Sequence, residues 1–395
     1  MITMRRQLLG LGFVAASSLL ALHSANAMSG PTAITIDGGP LGSLALSGGV
    51  DGYAYYNSGT SDTGSILGNT SNGAYVGSAL TELQKTTGLL EFTIEIGSNG
   101  GTASLGTAHT QTSINTFSTG PLYAGYLTIA PASIPGLTIS GGQLGSLEGW
   151  ESGVDWNNAN QLTTEIFYVQ NSQARGVEAS YTTGPFAGTI EFGDGYDSGV
   201  WNYIQALGTY TINSTNAASV YLGANLGTTG VNAQTFVGTG PAAALYSNSD
   251  LIGAFYNYTM GPLNLVPEVQ YQYTKAKESI GLSKSASNFG AAVFADYSIG
   301  TTPYSVGAWI EGFTSHTSNQ DGATYFIGPD AQGVGISVTP TWQYKDLFAR
   351  ADLGGLYLMR HKFTNSAGVS TVYGYGNYGT GTAVFQGTLE AGLLF

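Results

Sequence analysis

The chain has 395 residues, among them 59 Gly, 25 Tyr and 16 Phe, with only 9% charged residues and a formal net charge of −13. So little charge excludes an ordinary water-facing surface, for which about 25% is usual, and the surplus of acids leaves no basic patch for nucleic acid. With no cysteine, a disulfide framework and a thiolate metal site are excluded as well.

At the N-terminus, residues 1–27 carry Arg5 and Arg6, an apolar run from Leu8 to Leu22 and the small-residue end Ala25-Asn26-Ala27. This is the pattern of a cleaved secretory signal. The run is short of the about 20 residues that a spanning helix needs, and Ser17 and Ser18 interrupt it. Removal takes away two arginines, so −13 becomes −15. Residues 28–395 then form one domain with no further apolar run of spanning length, bound for the periplasm, the outer membrane or the exterior.

A mean hydropathy of +0.06 is too low for a helical bundle in lipid. Strands with one apolar and one polar face reconcile low charge with modest hydropathy. Alternation of period two predicts strands near 43–57, 75–84, 88–97, 121–131, 136–144, 174–183, 186–193, 201–212, 217–226, 250–260, 263–274, 287–298, 303–314, 332–344, 347–358 and 383–395. In Leu263–Tyr273, for example, Leu263, Leu265, Val269, Tyr271 and Tyr273 oppose Asn264, Glu268, Gln270 and Gln272.

Short links rich in turn residues, such as Gly184-Pro185, Asn213-Ser214-Thr215 and Gly261-Pro262, alternate with long Gly/Ser/Thr/Asn-rich loops. The expected fold is therefore all-β: a transmembrane antiparallel β-barrel of about 16 strands with short periplasmic turns and long outer loops. The alternation is ragged in 75–84, around Leu80, Glu82 and Leu83, which leaves fourteen or eighteen strands open. Pro267 and Pro340 fall inside strands and predict local bulges. Aromatics near strand ends, including Tyr271, Tyr273, Trp342, Tyr344, Tyr357 and Phe395, suit interfacial girdles.

On this parity the inward, pore-lining positions are Asp51, Glu91, Glu95, Glu178, Glu191, Glu268, Asp296, Glu311, Asp352 and Glu390, against Arg350. Ionised carboxylates are costly away from water, cations or arginines. An interior this acidic predicts a hydrated passage that concentrates cations. The loop from Gly145 to Gln173 holds Glu148, Trp150, Glu151, Asp155 and Trp156. Folded inward it would form a constriction; folded outward, its tryptophans would pack on the rim.

Catalysis finds little support. His109, His316 and His361 fall in predicted outer loops or at their edges, where no rigid hydrolase site is built. Glu91 and Glu95 on one strand are about 13 Å apart, too far for a glycosidase pair. The Gly-rich stretches GTGTAV and GDGYDSG lack the Lys-Ser/Thr of a phosphate cradle. Asp194 and Asp197 in the latter are a candidate Ca²⁺ pair; otherwise no metal, no cofactor and no catalytic residue is expected.

Two stretches carry a resemblance. Ala383–Phe395 alternates a greasy and a wet face and stops on an aromatic, which resembles the terminal signal of bacterial outer-membrane barrels. Between Leu122 and Asn213, the strand AGYLT, a strand ending in Gly141-Gly142-Gln143, the turn GWES, then WNNANQL, RGVEASY and a strand ending before Trp201-Asn202 resemble the OmpL-like β-barrel porin-2 family. Gln143 stands where that family commonly has lysine.

The resemblance implies an outer-membrane porin: a water-filled channel for passive diffusion of small hydrophilic solutes or ions, in contact with outer-membrane lipid, and by analogy a homotrimer. The residues add a cation preference. The alternative is a non-conducting structural or surface-binding barrel plugged by the 145–173 loop.

Overall fold

The computed structural model describes residues 28, 30–100, 102–109, 121–171, 173–233, 240–317, 324–365 and 368–395. The proposed signal segment lies outside these residues. A short strand β1 (Ile34–Asp37) precedes sixteen long ones: β2 (Ser43–Asn57), β3 (Asn72–Lys85), β4 (Leu90–Asn99), β5 (Leu122–Ile129), β6 (Leu137–Gly145), β7 (Gln173–Thr183), β8 (Phe186–Asp194) and β9 (Trp201–Asn213) in the first half. The second half supplies β10 (Asn216–Asn225), β11 (Ser249–Met260), β12 (Leu263–Thr274), β13 (Ala286–Ser298), β14 (Tyr304–Thr317), β15 (Gln332–Tyr344), β16 (Leu347–Arg360) and β17 (Ala383–Leu394).

Each long strand pairs antiparallel with its sequence neighbours, and β17 pairs with β2 along Gly49–Asn57, closing the sheet into a barrel. Backbone bonds between Gly48 and Phe395, 2.8 and 2.9 Å, extend the seam by one residue. Strand β1 pairs with Ser43–Leu46 of β2 on the same edge, just past the point where β17 ends. No edge is left free over this stretch.

Alternation is plain in the wall. In β12 Asn264, Val266, Glu268, Gln270, Gln272 and Thr274 are buried while Pro267, Val269, Tyr271 and Tyr273 are exposed. Outward Leu127, Ile190, Ile252, Ile310, Ile336 and Leu389 are exposed too. A belt of exposed aliphatics around a closed sheet is what lipid contact requires, and exposed aromatics such as Phe186, Tyr210, Tyr304 and Tyr344 sit next to the short turns.

The ragged strand has a physical cause. Between Val50 and Gly52 of β2 the register with β3 shifts by one residue, and Gly77 and Ser78 are buried consecutively. One extra residue in a strand reverses the parity of everything after it. Leu80 therefore points inward, and the strand reads as irregular although it is long and fully paired.

The two prolines correct an expectation. The register is unshifted on both sides of Pro267 and of Pro340; the strands lose pairing there on one edge and resume it in phase. Proline here interrupts a ladder without inserting a residue.

The interior is filled at its outer half. Short helices α1 (Glu165–Tyr168) and α2 (Pro241–Ser247) enter the barrel. Leu105, Leu162, Ile166, Val169, Leu245, Tyr246, Tyr325 and Phe326 pack with wall residues such as Tyr203, Tyr221, Trp309 and Phe313 into one buried cluster.

The inward loop and the acidic interior

Strand parity places Asp51, Glu178, Glu191, Glu268, Asp296, Glu311, Arg350, Asp352 and Glu390 on the inner face of the wall, all buried. Glu91 and Glu95 are half-buried on the face of buried Thr93, with Leu90, Ile94 and Ile96 exposed on the other. Two pairs of acids stand directly opposite each other across strands, Glu178 with Glu191 and Glu82 with Glu95. Like charges in that position repel, so these pairs need water, a cation or a shared proton. Among the described residues opposite charges meet once in the same way: Arg350 Nε donates to Glu390 at 2.7 Å and Nη2 at 3.1 Å, a buried bidentate pair.

The segment between β6 and β7 enters the barrel rather than leaving it, which overturns the rim-packed alternative. Trp156 packs with Leu80, Val154, Phe348 and Leu394, and Trp150 meets Phe255 edge-on at 5.5 Å. Around it, carboxylates accept the loop's backbone N–H groups. Asp352 takes Leu162 N (2.8 Å), Glu311 takes Glu165 N (2.7 Å), and the loop's own Glu148 and Glu151 take Asn171 N (2.8 Å) and Thr164 N (3.1 Å).

Wall amides and hydroxyls complete the attachment. Asn160 donates to Thr339 (2.6 Å), Gln170 to Gln270 (2.8 Å), Asn288 to Glu165 (2.6 Å) and Trp309 Nε1 to Leu162 O (2.8 Å). Arg350 donates to the carbonyls of Asn158 and Asp155 as well. Apart from a two-residue ladder at Leu162–Thr163, the inserted loop has no sheet to satisfy its backbone, so buried polar partners must do so.

A second segment joins it: Ala103–Ser104 pairs in parallel with Leu162–Thr163, and Gly106 N donates to Gln386. His109, at the end of that segment, is buried and stacks on Tyr55 at 4.5 Å. The histidine expected in an outer loop or at its edge is thus an interior one, and burial lowers its pKa to about 4. His316 pairs with Asp330 at 2.5 Å.

Electrostatically the loop carboxyls favour their neutral forms. Burial raises Glu148 to about 7 against the donors Asn171 N–H and Tyr203 OH, raises Glu165 to about 8 against Asn288, and lifts Glu151 well above the usual range. Asp155 is raised by burial too, with Arg350 opposing.

The proposed Asp194–Asp197 cation pair does not form. Asp194 accepts from Arg175 N, Nε and Nη2 and from Gly199 N, so an arginine already fills the position a cation would take.

Two features escaped the residue pattern. Glu82 faces inward, accepting from Ser47 at 3.4 Å, but the bulge at Gly77–Ser78 hides its parity. Gln270, Asn288 and Ser337, which grip the loop, are ordinary polar inward positions, and nothing in strand alternation says what they will touch.

Beside the loop lies a cavity of about 460 Å³ reaching from Met28, Ser47 and Phe395 at the turn end up to Phe167, Asn171 and Gln173. Its acidic lining residues are Glu82, Glu95, Glu148 and Glu151, and no lysine or arginine is among the described residues that line it.

Solved structures share the fold. An anion-selective porin from Comamonas acidovorans is 13% identical with a TM-score of 0.58, over 89% of this chain and 99% of that one. The trimer form of OmpT, an outer membrane protein of Vibrio cholerae, is 9% identical with a TM-score of 0.54 over 89% and 99%. The outer membrane channel DcaP of Acinetobacter baumannii is 12% identical with a TM-score of 0.51 over 89% and 97%. No curated protein matches the chain. A family profile described as "Putative beta-barrel porin-2, OmpL-like" matches residues 43–395, from the first barrel strand to the last residue. The chain therefore belongs to the OmpL-like β-barrel porin-2 family, with the architecture of an outer-membrane channel.

Proposed function

We propose that this barrel sits in a bacterial outer membrane and conducts small hydrophilic solutes and ions by passive diffusion, with a preference for cations and no covalent step. The observation that carries the preference is the cavity beside the inward loop, lined by Glu82, Glu95, Glu148 and Glu151 without a basic counterpart among the described residues. A narrow passage whose wall carries carboxyls and no base draws in cations as those carboxyls ionise. The preference is therefore expected to be weak where burial keeps Glu148 and Glu151 neutral and to strengthen as pH rises through about 7.

The loop then acts as the constriction, with Glu148 and Glu151 at the passage and Trp150 and Trp156 anchoring it to the wall. The Comamonas neighbour is anion-selective; at 13% identity it supports the fold and carries no selectivity across. A three-copy assembly is proposed by analogy with the OmpT trimer form.

Single-channel recording of the refolded protein tests this. Discrete current steps, with a reversal potential in a salt gradient of the sign set by cation flow, are expected; anion flow would overturn the charge argument. Absence of steps would favour the second reading, a plugged structural barrel, which draws on the full burial of Leu162, Thr163, Thr164 and Glu165 in the loop.

A further inference from the structure

Strand β1 occupies the edge of β2 as far as Leu46, and Phe395 takes that edge at Gly48. The chain before Ile34 therefore has to leave the sheet, and it turns into the barrel. Met28 N donates to Trp156 O at 3.2 Å. The Met28 side chain packs on the cluster of Leu80, Val154, Trp156, Phe348 and Leu394 and is half-buried, whereas Ile34–Asp37 are all exposed.

This contact completes a pattern on the inward loop. Arg350 donates to Asp155 O at 3.1 Å and to Asn158 O at 2.7 Å, and Met28 N takes Trp156 O between them. One turn of the loop is thus held both by a wall arginine and by the chain's own leading segment. Met28 also lines two cavities at the turn end, of about 460 and about 170 Å³. Their lining carries Glu82, Glu95, Glu148, Glu151 and Asp296, with Arg350 as the one base among the described residues.

Met28 is also the residue that follows Ala25-Asn26-Ala27, the small-residue end of the signal pattern. Hydrolysis of the Ala27–Met28 bond by a signal peptidase consumes one water and leaves a carboxylate on Ala27 and an α-ammonium on Met28. We propose that this new N-terminus stays docked in the turn-end mouth of the barrel and ties down the inward loop there. As an ammonium it keeps the bond to Trp156 O, now charge-assisted, and offers two further N–H donors to cavities rich in carboxyls. The tie does not depend on whether the barrel conducts.

The chain has no cysteine, so an introduced pair can close only with itself. Protein purified from outer membranes should begin at Met28 by N-terminal sequencing. Met28→Cys with Asn157→Cys, an exposed loop position next to Trp156 O, should close an internal disulfide on mild oxidation, seen as a linked peptide pair. Deleting residues 28–32, so that the mature chain begins at Ala33, leaves β1 in place. It should speed subtilisin cleavage within 145–173 at least about tenfold, the worth of a hydrogen bond to a charged group, with heat-modifiable migration retained. A mature start elsewhere, no linked pair, or unchanged cleavage in the shortened chain overturns the proposal. Where the shortened chain does not fold, the cysteine pair decides.

Discussion

Arg350 is the residue on which the interior turns. Its guanidinium meets Glu390 on the next strand and two loop carbonyls, Asn158 and Asp155, in a fully buried position. Removing one partner of a buried ion pair leaves the other charged and unsolvated, typically at a cost of about 3–5 kcal/mol. Arg350→Ala is therefore expected to lower the unfolding free energy of the refolded barrel, measured in urea, by a margin of that order and the urea midpoint with it, and Arg350→Ala with Glu390→Gln to recover part of it. Equal midpoints for the two variants would show that the pair is not the cause.

The loop acids give a pH dependence at the same scale. Glu148 and Glu165 bind protons more tightly folded than unfolded, with folded values of about 7 and about 8. Their contribution is complete below the ordinary glutamate range and is lost as pH rises through about 7 and about 8, because only the folded state still holds those protons in between. Stability measured in urea should fall with rising pH across that window by up to a few kcal/mol. A Glu148→Gln, Glu165→Gln double variant should flatten the fall. As Glu148 ionises over the same range, the cation preference of the channel should grow.

Among elements, the loop between β6 and β7 differs from the strands that hold it. Strands were legible because burial on one face and lipid on the other forces a period of two, and all sixteen stand within three residues of the ranges read from the sequence. The path of the loop was not legible. Its direction is decided by distant partners, Asp352, Glu311, Thr339 and Gln270, whose side chains look like any polar inward position.

Bulges escape for a related reason. The extra residue at Gly77–Ser78 is held by a contact from far along the chain: Asp51, 27 positions earlier, accepts Ser78 N. Replacing 147–171 by a short Gly-Ser link should raise single-channel conductance several-fold while leaving the barrel's heat-modifiable migration intact; unchanged conductance would place the narrowest point elsewhere. Leu162→Ala, which truncates a side chain with no exposure, should cost about 2–5 kcal/mol in the attachment of the loop. Limited proteolysis would reveal it as cleavage within 145–173 before the wall unfolds.

For the whole molecule, closure depends on the most distant pair of barrel strands. Phe395 and Gly48 exchange two backbone bonds at the seam, and β1 covers the edge beyond. Deleting Phe395 removes both bonds, and refolding into lipid is expected to slow or fail, read as loss of the heat-modifiable band. The exposed aliphatic belt is continuous enough for lipid, and the proposed trimer predicts a native mass of three chains in detergent; a single chain would reject it.

The inward loop also gives the barrel a mechanical property. Its chain leaves the wall at β6 and is gripped by β12, β13, β14, β15 and β16 on the way to β7. A hollow cylinder of paired strands can flatten into an oval at little cost, since each ladder bends slightly. A strut across the bore should resist that flattening and hold the aperture of the proposed channel steady. The electrical signature of such a braced tube is a quiet open level with a narrow spread of conductance, and cutting the strut would make the same tube noisy before it made it leak.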